Sequence, residues 1–145
     1  MKIGIASDHR GVKRKTEIIN FLNIKGFECI DYGTDSIDSV DYPLFAFKLC
    51  EDMDNIDLGI LICGTGIGMS IAANKVKGIR CAKVDTKNDA YCARYHNNAN
   101  VIALSAEDSL FKMKGLVSKF LSTKFSNEER HIRRINMIDE YDNKL

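Results

Sequence analysis

Six consecutive residues, Cys63-Gly64-Thr65-Gly66-Ile67-Gly68, combine a thiol with glycines at every second position. Glycines spaced this way let backbone N–H groups turn toward an anion without interference from side chains. A helix opening immediately afterwards adds its positive end to the same spot. A thiol held among such donors is favoured as its thiolate. Base and oxyanion donors in one place suit proton abstraction next to a carbonyl, where an enediolate forms. Two other readings stand beside this one. The glycines serve a tight turn and Cys63 is buried packing, or the segment is a dinucleotide site with Asp85 as its acid roughly 20 residues downstream. Against the dinucleotide reading, the spacing is GxGxG rather than GxGxxG, and 145 residues leave no room for a substrate domain.

Other groups have the right chemistry to join such a site. Asp8 and His9 directly follow the strand-like segment Lys2–Ser7, and so stand where a ligand would meet the end of a strand. Arg130 and Arg134 are four apart on a predicted helix, so they either converge on one anion or form a solvated basic face. His96 and Asn97 lie between a predicted helix and a predicted strand; a lone histidine is more often a surface residue than a catalytic one. Tyr42 either lines the site or caps the loop into Pro43. Lys13, Arg14 and Lys15 read as solvent-facing charges. No His, Cys, Asp or Glu set has metal-ligand spacing, so the expected chemistry needs neither a metal nor another cofactor.

The elements that must position these residues follow from periodicity. Strands are expected at Lys2–Ser7, Glu28–Tyr32, Asp57–Cys63, Arg80–Val84 and Val101–Leu104. Several are apolar on consecutive positions, as in strands buried on both faces. Helices are expected near 11–24, 43–53, 67–76 and 87–95, then after a start signal at Ser105 and Asp108, and finally near 127–141. Regular alternation of this kind predicts a single-domain, doubly wound (Rossmann-like) α/β fold: a five-stranded parallel sheet in a three-layer α/β/α sandwich. On the last helix Ile132, Ile135 and Ile138 share one side, with no later element to cover them.

Composition narrows the function classes. A net charge of +1 gives no global reason to expect nucleic acid or an anionic membrane as partner. No apolar run is long enough to span a bilayer. The five cysteines include no CxxC pair, and Met1-Lys2 runs straight into a strand-like segment, so a reduced, cytoplasmic protein is expected.

Taken in order, Ile3-Gly4-Ile5-Ala6-Ser7-Asp8-His9-Arg10-Gly11, Asp31-Tyr32-Gly33-Thr34, Asp41-Tyr42-Pro43, Leu61 through Gly68, Ala72-Ala73-Asn74-Lys75, Gly78-Ile79-Arg80, His96 through Val101 and Arg130 through Arg134 resemble the ribose-5-phosphate isomerases of the B type. That family is shared with galactose-6-phosphate isomerase subunits and allose-6-phosphate isomerases. The resemblance covers nearly the whole chain. It implies interconversion of D-ribose 5-phosphate and D-ribulose 5-phosphate, a step of the pentose phosphate pathway, in a homodimer or a dimer of dimers.

By the same resemblance Cys63 moves the proton between C1 and C2. The N–H groups of Gly64, Gly66, Ile67 and Gly68 hold the enediolate. Thr65 contacts the sugar oxygens that exchange a proton. Asp8 and His96 open the ring, Asn97 contacts the substrate, and His9, Arg130 and Arg134 hold the phosphate. His96 and Asn97 come from a partner chain, on which the last helix also packs. Some members carry a glutamate base where this chain has Met69, which leaves Cys63 as the base. One departure concerns the phosphate: Ser105-Ala106-Glu107 stands where many members have a Gly-x-Arg segment. A 6-phosphohexose (allose or galactose) isomerase and a non-catalytic nucleotide- or sugar-phosphate-binding protein remain as alternatives.

Overall fold

The computed structural model describes residues 1–145. Five strands, β1 (Lys2–Ser7), β2 (Glu28–Asp31), β3 (Leu58–Cys63), β4 (Cys81–Lys83) and β5 (Val101–Ser105), form one parallel sheet in the order β2-β1-β3-β5-β4. The three central strands are the apolar runs, and they are buried almost throughout. The edge strands β2 and β4 pair on one side only and are shorter than the sequence suggests.

Six helices surround the sheet: α1 (Val12–Ile24), α2 (Tyr42–Cys50), α3 (Ile67–Ala73), α4 (Lys87–Tyr95), α5 (Leu110–Ser122) and α6 (Glu129–Asp142). Alternation along β3 sorts them into layers. Leu58, Ile60 and Ile62 pack with Ile18 and Leu22 of α1, Ala90 and Ala93 of α4, and Met113, Val117 and Phe120 of α5. Leu61 and Cys63 point the other way, to Ala46 and Leu49 of α2 and Met69 and Ala72 of α3. Each large apolar side chain buried in this way contributes about 1.5–3 kcal/mol. The result is the expected three-layer α/β/α sandwich.

Connections leave β1 toward β2 and leave β3 toward β4, on opposite sides. The crevice between the carboxyl ends of β1 and β3 is therefore the point where the winding reverses, and it is where ligands bind in such sheets.

Several local expectations are corrected. The first helix is preceded by a 3-10 turn, His9–Gly11, capped by the Asp8 carboxylate. α2 ends at Cys50, and Met53–Asn55 form a separate 3-10 turn. α3 stops at Ala73 because Asn74 turns its side chain to both the N–H and the carbonyl of Cys81. α5 starts later than Ser105 and Asp108 suggest. Ser105 still belongs to β5, where its hydroxyl donates to the Gly64 carbonyl, and Ser109 is the cap that accepts from the Lys112 N–H. Lys15 is not solvent-facing: its amine is fully buried and donates to Asp31 at 2.6 and 2.7 Å and to Asp35 at 3.1 Å. Arg14 is half-buried, bonded to Glu17 and the Asp108 carbonyl.

α6 lies along the amino edge of the sheet. The Ser126 N–H just before it donates to the carbonyl of Tyr95, the last residue of α4. Asp139 pairs with Arg80 at 3.1 Å, and Asp142 accepts from the Gly78 N–H at 2.7 Å. Ile135 is buried against its own chain, contrary to expectation, while Ile132, Met137, Ile138 and Tyr141 stay exposed.

Candidate active site

At the carboxyl edge, Asp8 follows β1 and is buried. Its N–H donates to the Ile62 carbonyl of β3, which ties the two lips of the crevice together. Its Oδ1 accepts from the N–H groups of Arg10 and Gly11 at 2.9 and 3.2 Å. His9 Nδ1 accepts from the Val40 N–H at 3.1 Å. An imidazole that accepts at Nδ1 carries its proton on Nε2, so that nitrogen remains a donor for an incoming group.

The loop after β3 is shaped by its glycines. Gly66 has a left-handed backbone (φ +81), and a Cβ there would stand 3.1 Å from the Leu104 carbonyl carbon. Only glycine suits that position. Its N–H donates to Cys63 Sγ at 3.1 Å, which orients the sulfur. The Cys63 side chain belongs to the α2–α3 core, and the residue is 5% exposed. The Ile67 N–H is turned to the Thr65 hydroxyl at 3.2 Å. The N–H groups of Gly64, Thr65, Gly68 and Met69 donate to no group of the chain. Tyr42 lies against this loop: a Cβ on Gly68 would come within 2.7 Å of its ring. Tyr42 therefore packs on the loop rather than merely capping the chain into Pro43.

The remaining candidates gather elsewhere. His96 ends α4, with its ring 4.9 Å from that of His131 and 5.6 Å from that of Tyr95. The Asn97 carbonyl accepts from Arg80 Nε at 3.2 Å, and the Asn97 side-chain amide leans on the Cys92 carbonyl. Arg130 and Arg134 are both exposed on α6, Arg130 bonded to Glu128 at 3.0 Å. His96 and Asn97 precede β5, and α6 is fastened to residues before β4, so this cluster stands at the amino edge.

The candidates thus form two groups. Asp8, His9, Tyr42, Cys63, Thr65 and the loop glycines meet at the carboxyl edge. His96, Asn97, Arg130 and Arg134 meet at the amino edge. The six residues of β3 alone separate the edges by roughly 17 Å of strand rise. No single chain brings His9 together with Arg130 and Arg134, or His96 to Cys63.

Two residues missed by sequence reasoning belong to these groups. The Arg10 guanidinium occupies the space beside Gly64 that a side chain would fill, and it pairs with Glu107. His131 is buried, its Nδ1 2.6 Å from the Ser126 hydroxyl. Burial holds its imidazole below the usual value of 6.5, while Glu128 pulls the other way. Its spacing of four from the buried Ile135 was the available signal, since both lie on one face of α6. No group of three or more His, Cys, Asp or Glu side chains is arranged to hold a metal ion, and no helix is long and apolar enough to cross a membrane.

Known proteins share this frame. The ribose-5-phosphate isomerase B structure from Clostridium thermocellum superposes with a TM-score of 0.96 at 45% identity, covering 99% of both chains. The ribose-5-phosphate isomerase B from Mycoplasma genitalium, solved with bound ribulose-5-phosphate, superposes with a TM-score of 0.94 at 42% identity, over 99% of this chain and 97% of that one. Ribose-5-phosphate isomerase B of Mycolicibacterium paratuberculosis is 38% identical over 148 aligned positions, 98% of this chain and 92% of that protein. The profile described as Ribose/Galactose Isomerase matches residues 3–138. With sequence and fold agreeing over almost its entire length, the chain belongs to the ribose/galactose isomerase family.

Proposed function

We propose that the chain interconverts D-ribose 5-phosphate and D-ribulose 5-phosphate through an enediolate, with Cys63 as the base and no metal or other cofactor. One observation carries this reading. The Cys63 sulfur accepts an N–H from its own loop, beside unspent backbone donors and across the switch-point crevice from Asp8. The ribulose-5-phosphate bound by the M. genitalium protein supports a sugar phosphate of this length.

The groups then act in order. Asp8, with His96 of a second copy, takes the proton from the anomeric hydroxyl and returns one to the ring oxygen, which opens the furanose. The Cys63 thiolate removes the proton from C2, and the electron pair moves through the C1–C2 bond onto the C1 oxygen. The N–H groups of the Gly64–Gly68 loop hold the resulting enediolate. The Thr65 hydroxyl passes a proton from O2 to O1, and Cys63 delivers its proton to C1. His9, with Arg130 and Arg134 of the second copy, binds the phosphate, Asn97 of that copy touches the sugar, and Tyr42 closes the side of the loop. The second copy is required because the two groups of residues lie at opposite edges of each chain. The exposed Ile132, Met137 and Ile138 of α6 suit burial in a homodimer or a dimer of dimers. Five unpaired cysteines fit a reducing cytoplasm, and the reaction fits pentose phosphate metabolism.

A coupled assay with D-ribose 5-phosphate tests the reading. The wild-type chain turns it over; binding without turnover, or turnover of hexose 6-phosphates alone, would overturn the proposal. Cys63→Ala lowers kcat by about 100- to 10,000-fold while substrate still binds. A variant that kept more than about a tenth of wild-type kcat would remove Cys63 from the role of base.

A further inference from the structure

Arg10 follows Asp8 and His9 in the 3-10 turn at the crevice. A Cβ on Gly64 would overlap its Nη1 and stand 2.8 Å from Cζ and 3.2 Å from Nε. The guanidinium therefore rests directly on the first residue of the anion-binding loop. Its Nη2 pairs with Glu107 in the β5–α5 loop, while Nε and Nη1 donate to no other group of the chain. Both partners are more than half exposed, and such pairs add little to stability. Glu107 also puts negative charge at an edge that has to receive a phosphate dianion. A contact that stabilises little and opposes the ligand makes physical sense if its role is to aim Arg10.

Several other cations of this edge are already engaged. Lys15 is buried on Asp31 and Asp35, Arg14 is bonded to Glu17 and the Asp108 carbonyl, and Lys83 and Lys112 pair with Asp85 and Asp108. Arg10 keeps Nε and Nη1 free of partners, against the first residue of the loop whose N–H groups are unspent. A planar fork matches the spacing of phosphate oxygens.

We propose that Arg10 binds the phosphate of the sugar phosphate through the guanidinium N–H groups that Glu107 leaves free, and that Glu107 is a positioning residue that holds the guanidinium over Gly64. This rests on the isomerase reading above. The experiment measures KM for D-ribose 5-phosphate together with Ki for inorganic phosphate as a competitive inhibitor. Arg10→Ala raises both by about tenfold or more, and Arg10→Lys recovers only part of the loss. Lys13→Ala, which removes an equal charge from the exposed side of α1, leaves both unchanged.

Glu107→Gln supplies a test of sign. In the wild-type chain it raises KM, because Arg10 loses its anchor. In the Arg10→Ala chain it lowers KM, because only repulsion of the dianion is left to remove. A purely structural role for Glu107 produces no such inversion. An unchanged phosphate Ki in Arg10→Ala would overturn the assignment, and a lower KM from Glu107→Gln in both backgrounds would overturn the positioning role. Should Arg10→Ala fail to fold, Arg10→Gln takes its place. If the wild-type chain turned over no ribose 5-phosphate, the isomerase reading would fail. Direct titration with inorganic phosphate would then still decide whether Arg10 binds that anion.

Discussion

Mixing two inactive variants probes how the site is built. Cys63→Ala removes the proposed base from the carboxyl edge, and His96→Asn removes the proposed ring-opening group from the amino edge. In a dimer whose chains each lend one edge to the other, a mixed pair holds one site with both lesions and one with neither. Random assortment makes about half of the dimers mixed, and each of these carries one intact site of two, so about a quarter of wild-type activity returns. The assay is ribose 5-phosphate turnover after co-expression or joint refolding, with the residual rates of the parents subtracted. Arg134→Ala, from the same edge as His96, complements Cys63→Ala to the same degree. Asp8→Ala does not, because Asp8 and Cys63 face one crevice in one chain. Absence of recovery with Cys63→Ala and His96→Asn, when both variants fold and associate, would refute the shared site. So would recovery with Cys63→Ala and Asp8→Ala.

Three further outcomes are expected. Gly66→Ala forces a left-handed residue to carry a Cβ against the Leu104 backbone, and a melting experiment finds it destabilised by more than about 1 kcal/mol; an unchanged Tm would show that the loop relaxes freely. His131 has its folded pKa depressed by burial below the usual 6.5, so the stability it contributes is present above that pH and is lost as pH falls toward the folded value. His131→Gln therefore flattens the decline of Tm on the acid side of pH 6.5, and a decline as steep as in the wild-type chain would remove His131 as its source. Exhaustive chelation leaves turnover intact; activity lost and then restored by a divalent ion would require a metal step.

The central sheet and the glycine-rich loop were legible because their signals are local. Apolar runs two-sided in pattern become β1, β3 and β5, and alternating glycines after β3 signal the turn into α3. The start of α5 was misplaced because Ser105 spends its hydroxyl on the Gly64 carbonyl, a partner 41 residues away. Lys15 looked like one of three surface charges, yet its acceptors lie on β2 and beyond. Likewise, the grouping of His96 with α6 at the far edge depends on Arg80–Asp139 and Gly78–Asp142, pairs separated by 59 and 64 residues. Arg10 was invisible for the same reason: its setting comes from an absent side chain at Gly64 and a carboxylate 97 positions away.

The buried amine of Lys15 has an effect that reaches His9, which it never touches. It clamps Asp31 and Asp35, and Asp31 also accepts from the Gly33 N–H, so the chain leaving β2 sets off from a fixed point. That chain runs on to Val40, whose N–H decides which nitrogen of His9 holds the proton. The tautomer of the imidazole proposed to face the phosphate is thereby selected while the protein folds. Ordering that stretch would otherwise oppose each arrival of a ligand, at about 1–2 kcal/mol of backbone entropy per residue. Here much of it is spent once, by an ion pair between α1 and the end of β2, and a ligand that reaches His9 meets a histidine already set to donate.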